Sequence, residues 1–265
     1  MTGNVTHSVA TVTHENCMHV RHFVLALALP VGTLAAQTPR KWPPDSLVNV
    51  SFFAKNAPVT QVWAATRNIS AALGVECTFC HVGQPGAELP QIDFPSDQKR
   101  NKLVARQMLR MVQEVNRRID SIPERPTPPA AVSCMTCHRG VSRPVPLANI
   151  VAEVATASGA DSALRAYRAL RQRYYGSDAY DFGEFSLNAA AFRTARAGKT
   201  DDALALLRHN EQLYPNSAAL SIFRGNVYLM RADTSSAEAA FREAIRRDAK
   251  NDEARGRLRD IGRTP

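Results

Sequence analysis

No stretch of this 265-residue chain is apolar for long enough to cross a bilayer comfortably as a helix, which argues against a membrane-spanning bundle. Nor do its basic residues gather in a block with interleaved aromatics, so nucleic acid is not the expected partner despite a formal charge of +9. Asp93, Asp97, Glu114 and Asp120 form no paired-carboxylate arrangement, and no nucleophile motif surrounds a serine, so hydrolytic chemistry has no visible machinery. Cysteine is scarce, with five in all, and residues 56–80 hold neither methionine nor histidine. The positive excess is uneven. Residues 37–148 carry 14 Lys and Arg against 8 Asp and Glu, and residues 149–265 carry 18 against 15.

The N-terminus has the layout of an export signal. His19, Arg21 and His22 precede the apolar run Phe23–Leu29, and small residues follow through Ala35 and Ala36. Cleavage after Ala35 or Ala36 makes 1–36 a signal peptide; retention would leave an anchor at the outer face of the cytoplasmic membrane. The long, polar, nearly uncharged stretch before Met18 makes that methionine a candidate start. Cys17 precedes the apolar run and is not placed for lipidation.

Beyond the leader, the Pro-rich residues 38–50 read as an extended lead-in. Val62, Ala65, Ile69 and Leu73 predict a helix over Val59–Leu73, with Gly74 as its stop. Residues 82–97, rich in Gly and Pro, read as loop. Val104, Met108, Met111, Val112, Val115 and Ile119 predict a second helix from Asp97 or Gln98 to Ile122, ended by prolines at 123, 126, 128 and 129. Further on, Ala203, Leu207 and Asn210 recur 34 residues later as Ala237, Phe241 and Ala244, with Gly225 and Tyr228 at the small and aromatic positions. Residues 185–250 thus resemble tetratricopeptide repeats, with Thr194 and Arg224 departing from that pattern. Residues 161–175 read as half of an earlier unit and 252–261 as a capping helix. The repeat is expected either to stabilise the chain or to form a groove for a protein partner.

The four remaining cysteines carry the chemistry. Cys77-Thr78-Phe79-Cys80-His81 and Cys134-Met135-Thr136-Cys137-His138 are both C-x-x-C-H, the haem c attachment pattern. Thiols three positions apart reach the two vinyl groups of one porphyrin edge, and the adjacent histidine is carried beneath the ring to bind iron. Zinc and simple disulfides are the competing readings. The 53 residues between Cys80 and Cys134 exceed a zinc-ribbon spacing, and a thioredoxin-like site would want a βαβ context that this sequence lacks.

Residues 45–148 resemble the family of the photosynthetic reaction-centre cytochrome c subunit. The resemblance is carried by the stretches Ser70–His81, Ala105–Val112 and Val132–Gly140. It implies an all-α layout of helix, turn and attachment motif, a role in passing electrons to an oxidised partner, and a methionine ligand from the helix before each motif. Two motifs stand here where the photosynthetic members carry four. Met108 falls at the methionine position for the second motif, with Met111 one turn on as a substitute or both as core residues. For the first motif that position is Thr66, and the other candidates in the mature chain are Met135, His209 and Met230.

The expectation is therefore an all-α, two-part protein: a dihaem c-type cytochrome domain at 37–148 and a helical-hairpin repeat domain at 149–265. Cys77, Cys80, His81, Cys134, Cys137, His138 and Met108 would hold two covalent haem c groups, with iron on His81, His138 and Met108. Trp63 is expected to pack against the first haem. An exported or periplasmic electron carrier between redox partners is the first reading; a haem enzyme or small-ligand sensor with an open first iron is the second; a scaffold with structural haems is the third.

Overall fold

A computed structural model describes residues 41–125 and 127–265, which belong to one compact unit. The expected signal peptide at 1–36, Cys17 and the candidate start Met18 lie outside the described residues. The described chain is all-helical, with nine α-helices and no β-strand beyond one isolated bridge, Val82 to Asp93.

Helix α1 spans Val59–Leu73. Gly74 ends it in the left-handed conformation at φ 65°, and its amide and that of Val75 donate back to Ala71 and Ser70. Glycine is required there for a second reason: a Cβ would lie 2.1 Å from the Gly140 carbonyl oxygen. A 3-10 turn, Cys77–Phe79, follows directly. Residues 82–97 are loop apart from a 3-10 turn at Leu89–Gln91.

Helix α2 spans Arg100–Asp120, with Arg117 and Arg118 in the last turn where the helix dipole favours cations. It begins later than the expected Asp97 or Gln98, with Lys99 still extended at φ −85° and ψ 117°, and Asp97 in the preceding loop pairs with Lys102 and Arg106. The five-residue helix α3, Cys134–His138, is closed by a reciprocal cap in which Thr136 N–H donates to Ser133 Oγ and Ser133 N–H donates to Thr136 Oγ1.

Helix α4, Leu147–Tyr174, is longer than the half-unit expected at 161–175 and breaks at Gly159, where φ is 79° and ψ is 169°. Asp202 Oδ1 accepts from the Ala160 amide beside that break at 2.7 Å. Helices α5 (Glu184–Arg196), α6 (Thr200–Leu213), α7 (Ala218–Met230), α8 (Thr234–Arg247) and α9 (Asp252–Asp260) complete the chain. The bounds of α7 and α8 are those of α5 and α6 displaced by 34 residues, and α9 begins 34 residues after α7. The pairs α5–α6 and α7–α8 pack closely across short loops, as antiparallel hairpins do.

The core sits in this array. Tyr167, Leu187, Leu206, Leu207 and Val227 centre one buried cluster, and Phe241, Ile222 and Leu258 a second. Gly225 is small because Phe241 fills its space; a Cβ there would meet the ring at 2.4 Å. The two positions that departed from the repeat pattern are both satisfied. Buried Thr194 donates to the Ala190 carbonyl at 2.8 Å, and Arg224 pairs with Glu211 at 3.0 Å.

Candidate haem-binding site

Cys77 opens the 3-10 turn that follows α1 and Gly74, Cys80 caps it, and His81 comes next. Both thiols and the imidazole line a cavity of about 470 Å³, walled chiefly by apolar side chains from 42–53, from α1 and from α2. A volume of this size falls in the ordinary range for a cofactor pocket. Within the expected lead-in, residues from Lys41 to Val50 form part of this wall. Trp42 meets Trp63 edge-on at 4.9 Å and lies tilted against Phe94 at 5.0 Å, and Phe52 and Phe53 also line the cavity.

The His81 ring is held by its Nδ1, which lies 3.2 Å from the Phe94 carbonyl. That bond leaves Nε2 as the ring's free lone pair, the arrangement that a metal-binding histidine needs. Burial, aided by the nearby Lys102, pushes the His81 imidazolium down to about 4, so the ring is neutral at pH 7. Burial likewise raises the Cys80 thiol.

Two residues here went unremarked in the sequence. Phe94 supplies the carbonyl that orients His81, and Lys102 holds the loop that carries it. Lys102 is buried, and its Nζ donates to the carbonyls of Phe94, Pro95 and Ser96 at 2.8–2.9 Å while pairing with Asp97 at 3.0 Å. The available signal was helical spacing. Lys102, Ala105, Arg106 and Leu109 form one face of α2, and all four line the cavity. The cavity wall also includes Lys41 and Arg67 but no carboxylate, which suits a cofactor bearing acidic groups.

The second motif is built differently. Helix α3 presents Cys134 half-buried and Cys137 exposed, one turn apart. The His138 ring repeats the first histidine's restraint, with Nδ1 2.9 Å from the Val141 carbonyl. Val104, Met108 and Met111 are exposed on α2, and with Val115 they form an apolar stripe. At about 100° per residue this stripe faces roughly opposite the cavity-lining residues, so α2 turns one side to the first cavity and its methionines away from it.

Hydrogen bonds tie both ends of α2 to the motifs. Asn101 donates to the Phe79 carbonyl at 3.1 Å and Lys99 donates to that of Thr78. At the other end, the Asn116 amide makes both bonds to the Val132 backbone, at 2.8 and 2.7 Å. A backbone bond also links the segments beside the motifs: the Gly140 amide, just after the second, donates to the Ala72 carbonyl near the end of α1 at 2.8 Å. The structure thus brings together the end of α1, the first motif and the segment just after the second.

The four cysteines are not joined as disulfides, and among the described residues no three or more His, Cys, Asp or Glu converge as a metal cluster. Zinc bound by four thiolates has no site in this arrangement. Haem fits the residues present, since each motif offers two thiols on one helical turn and an imidazole already oriented through Nδ1. Of the other candidates, Met135 lines a separate cleft with the α4–α5 loop, while His209 and Met230 sit in the helical array, His209 with its ring 6.0 Å from that of Tyr167. Trp63 does line the first cavity.

Residues 86–181 match the photosynthetic reaction centre cytochrome C subunit family. The matched stretch holds α2, the second motif and α4, and it begins after the first motif. It ends at Asp181, in the loop whose Ser177, Asp178 and Asp181 share a cleft with Ser133, Met135 and Arg139 around α3. No curated protein matches the chain.

Proposed function

We propose that this chain is an exported dihaem c-type cytochrome that carries electrons between redox proteins. The similarity over 86–181 to a haem c cytochrome supports the electron-carrier role. The observation that carries the dihaem reading is the duplicated imidazole restraint: both C-x-x-C-H histidines present Nδ1 to a backbone carbonyl, at 3.2 and 2.9 Å.

Cys77 and Cys80 would hold one haem and Cys134 and Cys137 the other, each as a pair of thioethers. His81 and His138 would bind the two irons, and Met108 the second iron from its other side. Haem supplies a one-electron couple, and the chain's residues set its surroundings. Trp42, Trp63 and Phe94 keep water from the first site, and the cations along its wall offset acidic groups. The Gly140–Ala72 bond fixes the end of α1 against the segment that follows the second motif.

Export rests on the N-terminal leader, which would be cleaved near Ala36. Among the described residues no helix is long and apolar enough to cross a membrane. The 34-residue period of α5–α9 supports a tetratricopeptide-like module offering a surface to a protein partner.

The test is expression in a host competent in cytochrome maturation. The expected product is red, has the mass of the cleaved chain plus two haems, and exchanges electrons with soluble acceptors. A colourless product with free or cross-linked thiols would defeat the reading.

A further inference from the structure

The walls of the first cavity offer little that could bind iron opposite His81. Apart from the motif itself, the lining contains no methionine, histidine or tyrosine. Its two amines are engaged: Lys102 Nζ by three carbonyls and Asp97, and Lys41 Nζ by Asp45 at 2.5 Å. Thr66 lines the cavity, but its hydroxyl donates within its own helix, to the Trp63 carbonyl at 2.9 Å.

No methionine from elsewhere among the described residues fills the gap. Met108 and Met111 occupy the side of α2 away from this cavity, where both are exposed. Met135 lines the cleft beside α3, and Met230 and His209 belong to the helical array. The two methionines of α2 are thus exposed away from the first cavity, which an apolar wall of Val62, Ile69, Phe94 and Leu109 lines instead.

We propose that the first haem site keeps an open iron position and binds one small diatomic ligand, of the class of carbon monoxide, nitric oxide or cyanide, while the second is closed by a methionine. This rests on the dihaem reading. The predominantly apolar wall of Val62, Ile69, Phe94 and Leu109 suits a small, weakly hydrated ligand.

The experiment uses the full holoprotein, whose haem content is first counted from its mass and its pyridine haemochrome. Two haems per chain establish the dihaem reading independently of any ligand binding, and fewer refute it. The dithionite-reduced protein is then titrated with carbon monoxide. One molecule per chain is expected, and Met108→Leu with Met111→Leu should raise this to two by opening the second centre. A variant with Cys134→Ser and Cys137→Ser, retaining only the first haem, should still bind one. A two-haem protein that binds no carbon monoxide overturns the proposal. So does a stoichiometry that stays at one in the double methionine variant, or a first-haem-only variant that binds none.

Discussion

The chain before Leu147 and the chain after it solve the burial problem in different ways. After Leu147, side chains bury one another: Val151, Tyr167, Leu187, Leu206, Leu207, Phe241 and Leu258 are at most 2% exposed. Before it, the buried apolar residues among those described are Ala72, Ile92 and Val141, while Phe79, Leu103, Val104, Met108, Met111 and Met135 remain exposed. The first half is tied instead by point restraints, among them the Lys102 clamp, the Asn116 tether and the Gly140–Ala72 bond. The helical array carries its own core, whereas the motif-bearing half arranges apolar walls around something other than its own side chains. A group that binds only the folded chain would then supply that half's stability.

The largest test of this contrast removes haem attachment. With all four motif cysteines replaced by serine, residues 41–146 should lose helix content and be cut rapidly by protease. A fragment beginning near Leu147 should survive, because its contacts are internal. Limited proteolysis with mass mapping reads the outcome, and equal resistance of both halves would erase the distinction.

The reverse test is Phe241→Ala. This ring is fully buried against Gly225, and truncating such a side chain costs about 3–5 kcal/mol. The array's unfolding midpoint in denaturant, followed by circular dichroism, should fall accordingly while haem absorbance keeps its own transition. Loss of both signals at one concentration would show a single cooperative unit.

Gly74→Ala addresses the joint between the motifs. The left-handed φ alone costs roughly 1–2 kcal/mol, and the new Cβ would collide with the Gly140 carbonyl. The whole motif-bearing half should loosen, with a lower thermal midpoint by haem absorbance and little change in the array.

How much of this could be read from the sequence depended on whether a signal was local. The bounds Val59–Leu73 and the Gly74 stop follow from apolar spacing and one glycine, and both are observed. The 34-residue spacing read between Ala203 and Ala237 reappears in the bounds of α5–α8 and in the start of α9. The first cavity was less legible. Its wall comes from Trp42, Phe52, Phe94 and Leu109, which lie far apart in sequence, and the lead-in's prolines concealed a packed segment. Lys102 was hidden for the opposite reason: a lysine in a charged helix reads as surface, and only the loop folding over it makes it buried. The different faces that α2 turns to the cavity and to solvent need the fold, since spacing identifies the Met108 stripe but not what lies behind the helix.

The smallest expected effect concerns Asp97, which holds Lys102 and Arg106 at the start of α2. Asn49, Arg106 and Lys102 beside it keep its carboxyl below the ordinary value of 3.8. A carboxyl depressed in the folded chain takes up a proton more readily once unfolded. Its stabilising contribution is therefore complete above about 3.8 and fades as pH falls from there toward the lowered folded value. Asp97→Asn should thus lower the denaturant midpoint of the holoprotein at pH 7, with the difference from the parent chain narrowing below pH 3.8. Because the carboxylate is exposed, added salt should shrink the difference as well. No gap at pH 7 would mean that the loop 94–97 is held by the lysine's bonds to carbonyls alone, and that the motif-bearing half depends on its charges even less than the contrast with the array suggests.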